Sequence, residues 1–249
     1  MSKLKYQWDV EQERITLFPF PGLITNGESI WELITGTLPE VVTTKPSFGI
    51  SNVSGKYKNG QLILNIDPQR IDFLYLPPAD FHEKNPDRGF SIIDSAELID
   101  LSLINDIGNW LGNAPQITRI AYGIVYLMRC YKKEDSYNIL AELLPDIKID
   151  IENSTDFMYS INRPRISNVV NNLKLNRYSK WAALKITLAS IMPAQNTNVS
   201  TFIENAARLE LDISSDAERT DEIPKDNLLN LLKEMNQYAI EISQSGDIK

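Results

Sequence analysis

The sequence predicts an α+β protein built mainly of antiparallel strands, and three features support this prediction. Runs that alternate apolar and polar residues, typical of half-buried strands, recur along the chain. Other segments carry apolar residues at three- and four-residue steps and end at glycine or proline, as amphipathic helices do. The 249 residues, of which 43% are hydrophobic and 23% charged, are enough for one large domain or two intertwined halves.

Short local patterns predict the first elements. The stretch 14–19 (RITLFP) alternates and then stops at a proline, which predicts a first strand. The stretch 27–35 (GESIWELIT) has helical spacing and is followed by a glycine, which predicts a short helix. Asn59 and Gly60 lie between two strand-like runs and predict a type I′ hairpin, because both residues tolerate positive φ. Residues 70–76 then predict a further strand.

A second helix and a central strand follow. The helix is predicted from one apolar stripe formed by Leu98, Leu101, Ile104, Ile107 and Leu111. The nearly continuous apolar run 116–131 (QITRIAYGIVYLMRCY) is typical of a central strand that is covered on both faces. The order strand, helix, two or three strands, helix, strand matches the split βαβ arrangement of ferredoxin-like folds.

The second part of the chain has a similar set of elements. It predicts a short helix at 134–146, an edge strand bent at Pro164, a half-buried strand at 207–214 and a C-terminal amphipathic helix. We therefore predict two intertwined ferredoxin-like halves with mainly antiparallel sheets. The N-terminal half comprises residues 1–132 and the C-terminal half residues 133–249.

The segment 173–190 does not fit one regular strand. Leu173 and Leu175 place apolar side chains at odd positions, whereas Ala182, Leu184 and Ile186 place them at even positions. Since a shift by one residue moves every side chain of a strand to the other face, the pattern predicts a bulge or turn near 176–180, or a helix from about Ser179 onward.

Several kinds of chemistry are excluded by composition. One histidine (His82) and one cysteine (Cys130) cannot form a Cys/His zinc site, a two-histidine motif or an internal disulfide. The common glycine-rich phosphate-binding and serine-hydrolase motifs are missing. No apolar run is long enough to span a bilayer, and the first ten residues lack the apolar region of a signal peptide. The sequence thus predicts a cytosolic protein without cofactor or membrane contact; it favours a non-enzymatic role but leaves the question of an enzyme open.

One stretch has a charge opposite to that of the chain. The formal net charge is −8, yet residues 157–203 hold no acidic residue. The six basic residues of this stretch are Arg163, Arg165, Lys174, Arg177, Lys180 and Lys185. Such a segregated charge predicts either a binding surface or an internal partner of the acidic flanks.

The basic stretch supplies the candidate binding residues. Arg163 and Arg165 are two positions apart, so in an extended chain they project to the same side and suit a bidentate anion. Tyr178 and Trp181 add flat surfaces for stacking. The full predicted site for a partner or an anion consists of Arg163, Arg165, Asn176, Arg177, Tyr178, Lys180 and Trp181.

Three interpretations of this stretch, and one alternative outside it, stay open at the level of sequence. The first is a surface that holds a protein partner or a second copy of the chain. The second is a phosphate or single-stranded nucleic-acid site, which the acidic remainder of the chain would oppose. In the third, Glu210 or Asp212 pairs with Arg177 or Lys180 across a sheet, and Trp181 belongs to the core. A separate alternative is a metal-dependent hydrolase that acts through Glu210 and Asp212.

The patterns RITLF, RIDF, INRPR…NR…KW and RLELDI, which extend from Arg14 to Ile213, resemble those of a group of uncharacterised bacterial proteins of about 250 residues. The resemblance implies a bacterial, cytosolic, accessory protein and assigns no catalytic role to any residue. Together with the basic stretch, it leads to the expectation of a non-enzymatic binding or assembly module.

Overall fold

The structure, a computed structural model, describes residues 5–20, 26–190 and 200–247. It confirms an α+β fold with a mainly antiparallel open sheet and a C-terminal helix. The strands are β1 (Asp9–Pro19), β2 (Val41–Lys45), β3 (Ile50–Tyr57), β4 (Gly60–Asp67), β5 (Arg70–Leu76), β6 (Asp94–Ser95), β7 (Ile117–Cys130), β8 (Met158–Asn162), β9 (Arg165–Ile166), β10 (Lys174–Ser190) and β11 (Ser200–Ser215).

Six α-helices occur in the described part of the chain. They are α1 (Gly27–Thr35), α2 (Phe81–Lys84), α3 (Ala96–Ile99), α4 (Ser102–Leu111), α5 (Lys133–Leu143) and α6 (Lys225–Ser245). A short 3-10 helix, Pro46–Phe48, follows β2. Within these ranges no helix has both the length and the apolar character needed to span a membrane.

One sheet runs through both predicted halves. Its order is β2-β3-β4-β5-β1-β7-β11-β10-β8, with β6 beside β1 and β9 beside β10. Every pairing among the described strands is antiparallel. A split βαβ unit would place parallel strands in the sheet, so the ferredoxin-like description is not confirmed. The division at residue 132 stays a prediction, because β7 of one half pairs directly with β11 of the other.

The helices cover one face of the sheet, here called the inner face. Helix α4 packs between α1 and α6, and α5 lies over β7, β10 and β11. The inner side chains of the strands and the buried sides of these helices form one continuous apolar cluster. Predictions of a helix at 134–146 and of an amphipathic C-terminal helix are confirmed by α5 and α6.

The opposite face of the sheet, the outer face, is mostly polar. Its central part carries ion pairs between strands, such as Arg14–Asp212 and Arg208–Glu11. At the end formed by β10 and β11 the outer face is covered by the loop after α2, where Phe90 packs with Leu127 and Ala206. The central strand β7 is therefore buried on both faces, as the sequence predicts.

This partial cover accounts for the irregular apolar pattern along β10. It is one regular strand of 17 residues, and it pairs with β11 without a register shift. Leu175 and Trp181 are buried on the inner face, whereas Leu184 and Ile186 pack on the outer face beneath the Phe90 loop. The predicted bulge or helix is therefore wrong. The strand stays regular, but its first half is buried on the inner face and its second half is covered on the outer face. Residues 191–199 of the basic stretch lie outside the described residues.

Two further predictions need correction in detail. The β3–β4 hairpin is confirmed, but its two loop residues are Lys58 and Asn59, and Lys58 has φ of 48°. Gly60 already belongs to β4, where a Cβ would lie 2.1 Å from the carbonyl oxygen of Leu76. Glycine is required there by a close approach and not by the turn. The helix predicted across 98–111 is interrupted at Asp100, whose φ is 21°.

Candidate functional site

The alternation of β10 divides the predicted binding residues between two faces. Arg177 and Trp181 point to the inner face, and Asn176, Tyr178 and Lys180 point to the outer face. The prediction of one contiguous basic and aromatic surface is therefore wrong. Side chains at odd and even positions of a strand cannot share a face, whatever their chemistry.

Three of the predicted residues have structural partners. Trp181 is 0% exposed and belongs to the core, and its Nε1 donates to Ser179 Oγ at 3.3 Å. Lys180 Nζ lies 3.7 Å from Glu210 Oε2 on the neighbouring strand. Asn176 Oδ1 accepts a hydrogen bond from Asn162 Nδ2 at 3.0 Å. The interpretation of internal pairing is thus confirmed for Lys180 and Trp181, and no aromatic pair is available for stacking a base.

The three arginines, in contrast, are brought together on the inner side, at the C-terminal end of α6. Pro164 separates β8 from β9, so Arg163 and Arg165 both reach residues of α6 or the turn after it. Arg177 reaches the same place from β10. We call this cluster the arginine site; its members are Tyr159, Arg163, Arg165, Arg177, Tyr238, Glu241 and Asp247.

Arg163 holds the carboxylate of Asp247 with two parallel hydrogen bonds. Its Nε lies 2.5 Å from Oδ1 and its Nη2 lies 2.8 Å from Oδ2. The hydroxyl of Tyr159 donates to the same Oδ2 at 3.1 Å. These hydrogen bonds, above all those from Arg163, lower the pKa of Asp247, and Asp247 in turn raises the pKa of Arg163. Arg163 alone thus holds a carboxylate with two parallel donors, whereas the spacing of the arginines led to the expectation of one anion shared with Arg165.

Arg165 and Tyr238 form the second part of the site. Arg165 Nη1 donates to both oxygens of Glu241, at 3.1 and 3.0 Å. The guanidinium groups of Arg165 and Arg177 lie 5.6 and 5.5 Å from the centre of the Tyr238 ring. A tyrosine between two cations is a favourable cation–π arrangement, and it orders both guanidinium groups without using their hydrogen-bond donors.

Arg177 has spare hydrogen-bonding capacity. It is 2% exposed, its Nε donates to the carbonyl oxygen of Arg163 at 2.8 Å, and its Nη1 has no hydrogen-bond partner. No carboxylate of the described residues forms an ion pair with it. Burial, together with the charge of Arg165, lowers the pKa of Arg177. A buried donor without a partner is costly and uncommon in a folded protein.

A small cavity lies where this free donor is buried. Its volume is about 10 Å³, which is room for roughly one water molecule. The lining residues are Arg163, Arg177, Ser179, Ile242 and Asp247. The cavity therefore adjoins both the Asp247 carboxylate and the guanidinium groups of Arg163 and Arg177.

Gly246 allows the chain to place Asp247 there. Its φ is +80°, and a Cβ would lie 1.8 Å from the carbonyl oxygen of Leu143 in α5. The N–H of Asp247 donates to that same carbonyl at 3.1 Å. Helix α6 therefore ends in a tight reversal against α5 that only glycine can make.

The carboxylates proposed for a metal site have other partners. Glu210 accepts from Arg208 at 2.9 Å and faces Lys180, and Asp212 accepts from Arg14 at 2.9 Å. In the part of the chain that the structure describes, no three histidine, cysteine, aspartate or glutamate residues are grouped as metal ligands. The geometry gives the hydrolase alternative no support.

A buried carboxylate that the sequence analysis did not single out lies beneath the centre of the sheet. Glu13 of β1 is 0% exposed, its Oε1 accepts from the Tyr122 hydroxyl at 3.1 Å, and its Oε2 has no partner. Burial raises the pKa of Glu13 to about 8, and the hydrogen bond from Tyr122 only partly offsets this. The Tyr122 oxygen also lies 3.0 Å from Oδ1 of Asn236 in α6, so its single proton is shared between two possible acceptors.

The sequence analysis also missed the partners of the arginines. Glu241 and Asp247 are 76 and 84 positions from the arginines that they bind. The glycine at 246, directly after a long amphipathic helix, was the available signal for a chain reversal. Comparisons of the chain with models of known protein families, with curated proteins and with solved structures found no match.

Proposed function

We propose that the protein is a non-enzymatic binding module that holds a carboxylate on an extended segment of a protein partner at the arginine site. The observation that carries this proposal is the bidentate contact of Arg163 with Asp247 beside the unpartnered Nη1 of the buried Arg177. In this view Asp247 is an internal occupant of the site, and the partner's carboxylate replaces it. An accessory or assembly role in a bacterial cytosolic complex is part of the same proposal.

The chemistry of the site favours a carboxylate on a peptide. A guanidinium group matches the two oxygens of a carboxylate with two parallel donors, and the Tyr159 hydroxyl adds a third donor. The present occupant is itself a peptide segment, which enters after α6 and is held by its backbone N–H as well as by its side chain. A partner segment of the same kind would meet the same donors.

The occupied site also explains how binding could be controlled. The segment after α6 that carries Asp247 competes with a partner at an effective concentration in the millimolar range. A partner must therefore bind the site more tightly than Asp247 does, or displace this segment through other contacts. Nucleic acid is less well supported as a ligand. Tyr178 lies on the outer face, Trp181 is buried, and the Tyr238 ring of the arginine site is 7% exposed and already faces two arginines, so a base has no open ring there on which to stack.

The test uses the internal occupant as its own probe. A labelled peptide with the sequence of residues 243–249 (SQSGDIK) is titrated into the wild-type protein and into Asp247→Asn, which keeps the tail but removes its charge. We expect Asp247→Asn to bind the peptide at least about tenfold more tightly, because the site is no longer filled by a carboxylate. Fluorescence anisotropy gives both affinities.

Two controls make the result specific. A peptide with asparagine in place of the aspartate should bind weakly to both proteins. Combining Asp247→Asn with Arg163→Gln should abolish binding, whereas combining it with Lys185→Ala, an exposed basic residue outside the site, should not. Equal binding of both peptides, or no binding by a folded Asp247→Asn protein, would overturn the proposal. Circular dichroism establishes that each variant is folded.

A further inference from the structure

The edge of the sheet opposite to β8 is formed by β2, and this strand is exposed to solvent along its length. Each of the five residues Val41–Lys45 is exposed, and β2 pairs with β3 and with no other described strand. Its second row of backbone N–H and C=O groups therefore faces solvent. Such an edge is a template for another strand unless charge, proline or a covering element blocks it.

Exposed apolar side chains surround this edge. They belong to Leu38, Val41, Val42 and Phe48, whose exposed fractions are 76%, 57%, 40% and 67%. We call these four residues and the strand itself the β2 patch. The charged residue within β2 is Lys45, at its end, so the middle of the strand carries no protecting charge. Exposed apolar side chains concentrated in one place are typical of an interaction surface.

We propose that β2 pairs antiparallel with β2 of a second copy of the chain and so forms a two-fold symmetric dimer. Pairing about its midpoint, Thr43, would place Val42 opposite Thr44 and Val41 opposite Lys45 of the other copy. No like charges then face each other, and threonine and valine suit cross-strand contacts. The strand is therefore complementary to itself.

Charge supports a second copy as the occupant. Each copy has a formal net charge of −8, so two copies repel each other except where a surface lacks acidic residues. The five residues of β2 include none. An edge with no acidic residue and a lysine at its end is a place where two such acidic molecules can approach.

The state of the other edge limits the assembly to a closed pair. There, β8 has five residues and β9 has two, Pro164 interrupts the backbone donors between them, and Arg163 and Arg165 are engaged by Asp247 and Glu241. Pairing of β2 with that edge would be limited to the five residues of β8 before the break at Pro164, so head-to-tail growth into a filament is disfavoured. An isologous contact of β2 with itself closes on two copies.

The test exploits the predicted position of Val41 opposite Lys45. Val41→Lys would place two lysines face to face, whereas Val41→Glu would place a glutamate opposite each lysine. Light scattering coupled to size exclusion, over a micromolar to millimolar series, should give a dimer for wild type and Val41→Glu. We expect Val41→Lys to dimerise at least about tenfold more weakly.

A charge control separates pairing from net charge. Leu98→Lys adds the same charge at another exposed apolar residue, on α3, and should dimerise like the wild type. A wild type that stays monomeric across the series overturns the inference. Equal weakening by Val41→Lys and Val41→Glu also overturns it, because the contact would then not bring position 41 opposite Lys45. Neither result bears on the arginine site, which lies at the other edge.

Discussion

The two edges of the sheet are protected in opposite ways. The edge at β8 and β9 is short, broken by Pro164 and fastened to the end of α6 by ion pairs of Arg163 and Arg165. The edge at β2 has no such contact and is exposed over its whole length. Arginines of the basic stretch thus fasten the segment between β8 and β9 to the end of α6, whereas among the described residues no ion pair fastens β2. Closing an edge with charge requires partners from elsewhere in the chain, and α6 and the turn after it supply them here.

The centre of the sheet, between the two edges, should give the largest change of stability with pH. The pKa of Glu13 is raised by burial to about 8, so the folded state holds a proton that the unfolded state releases near pH 4.5. Stability should therefore fall as the pH rises between these values, by a few kcal/mol at about pH 9. Glu13→Gln should remove this loss. Urea unfolding of both proteins at about pH 5 and about pH 9 measures it; a wild type with the same stability at both pH values would contradict the assignment.

Gly246→Ala should have the next largest effect, because it disturbs the closed edge. A Cβ at 246 would overlap the Leu143 carbonyl and would require a side chain at φ +80°, so the reversal after α6 cannot form. We expect a loss of about 1–3 kcal/mol in the free energy of unfolding. Thermal or urea unfolding measures the loss, with Ser245→Ala, an exposed neighbour, as the matched control. If the two variants were equally stable, the tail would not be fastening this edge.

The ion pair at Asp247 should have a smaller effect of opposite pH sense. The hydrogen bonds from Arg163 are the main cause of the lowered pKa of Asp247 in the folded protein. The ion pair therefore adds to the free energy of unfolding at pH values above the unfolded-state pKa near 3.8, and this addition is lost as the pH falls through the lower, folded-state pKa. Asp247→Asn should cost about 1 kcal/mol at neutral pH and nothing in strong acid. Urea unfolding in the Glu13→Gln background, from neutral to acid pH, tests this. A cost that persists below the folded pKa would point to packing instead of charge.

The bare edge should tolerate substitution best. The side chain of Val42 is 40% exposed, so little apolar surface is lost from the monomer when it is replaced. Val42→Thr should therefore change the stability of the monomer by no more than about 0.5 kcal/mol. The measurement is urea unfolding at the lowest usable protein concentration, where any dimer has dissociated. A larger loss under those conditions would mean that β2 contributes to the fold and is not merely displayed by it.

Elements with a clear local pattern could be predicted from the sequence. The helices α1 and α6 and residues 207–214 of β11 each bury one side, so their periodicity suffices there, although β11 begins seven residues earlier, at Ser200. The strand β10 was not predicted as one strand, because its cover moves from the inner to the outer face halfway along. A periodicity rule assumes that the same face stays buried.

The candidate site could be predicted only in part, for a similar reason. The spacing of Arg163 and Arg165 suggested one anion held by both, but Arg163 contacts Asp247 and Arg165 contacts Glu241. The prediction grouped Asn176 and Tyr178 with Arg177 because they are adjacent in sequence. In a strand, however, successive side chains point to opposite faces of the sheet. The acidic partners are supplied by α6 and the turn after it, and their position depends on how that helix packs across the sheet. Local sequence does not contain that information.

The position of β7 in the sheet has a consequence for how the chain acquires its structure. It pairs on one side with β1 and on the other with β11, a strand that follows it by some seventy residues. Until residues 200–215 have been synthesised, the most apolar strand of the protein has a free edge. Non-local pairings of this kind slow folding and leave intermediates prone to aggregation. We therefore expect the nascent chain to depend on chaperones during translation, and its folding to be completed by the β10–β11 hairpin.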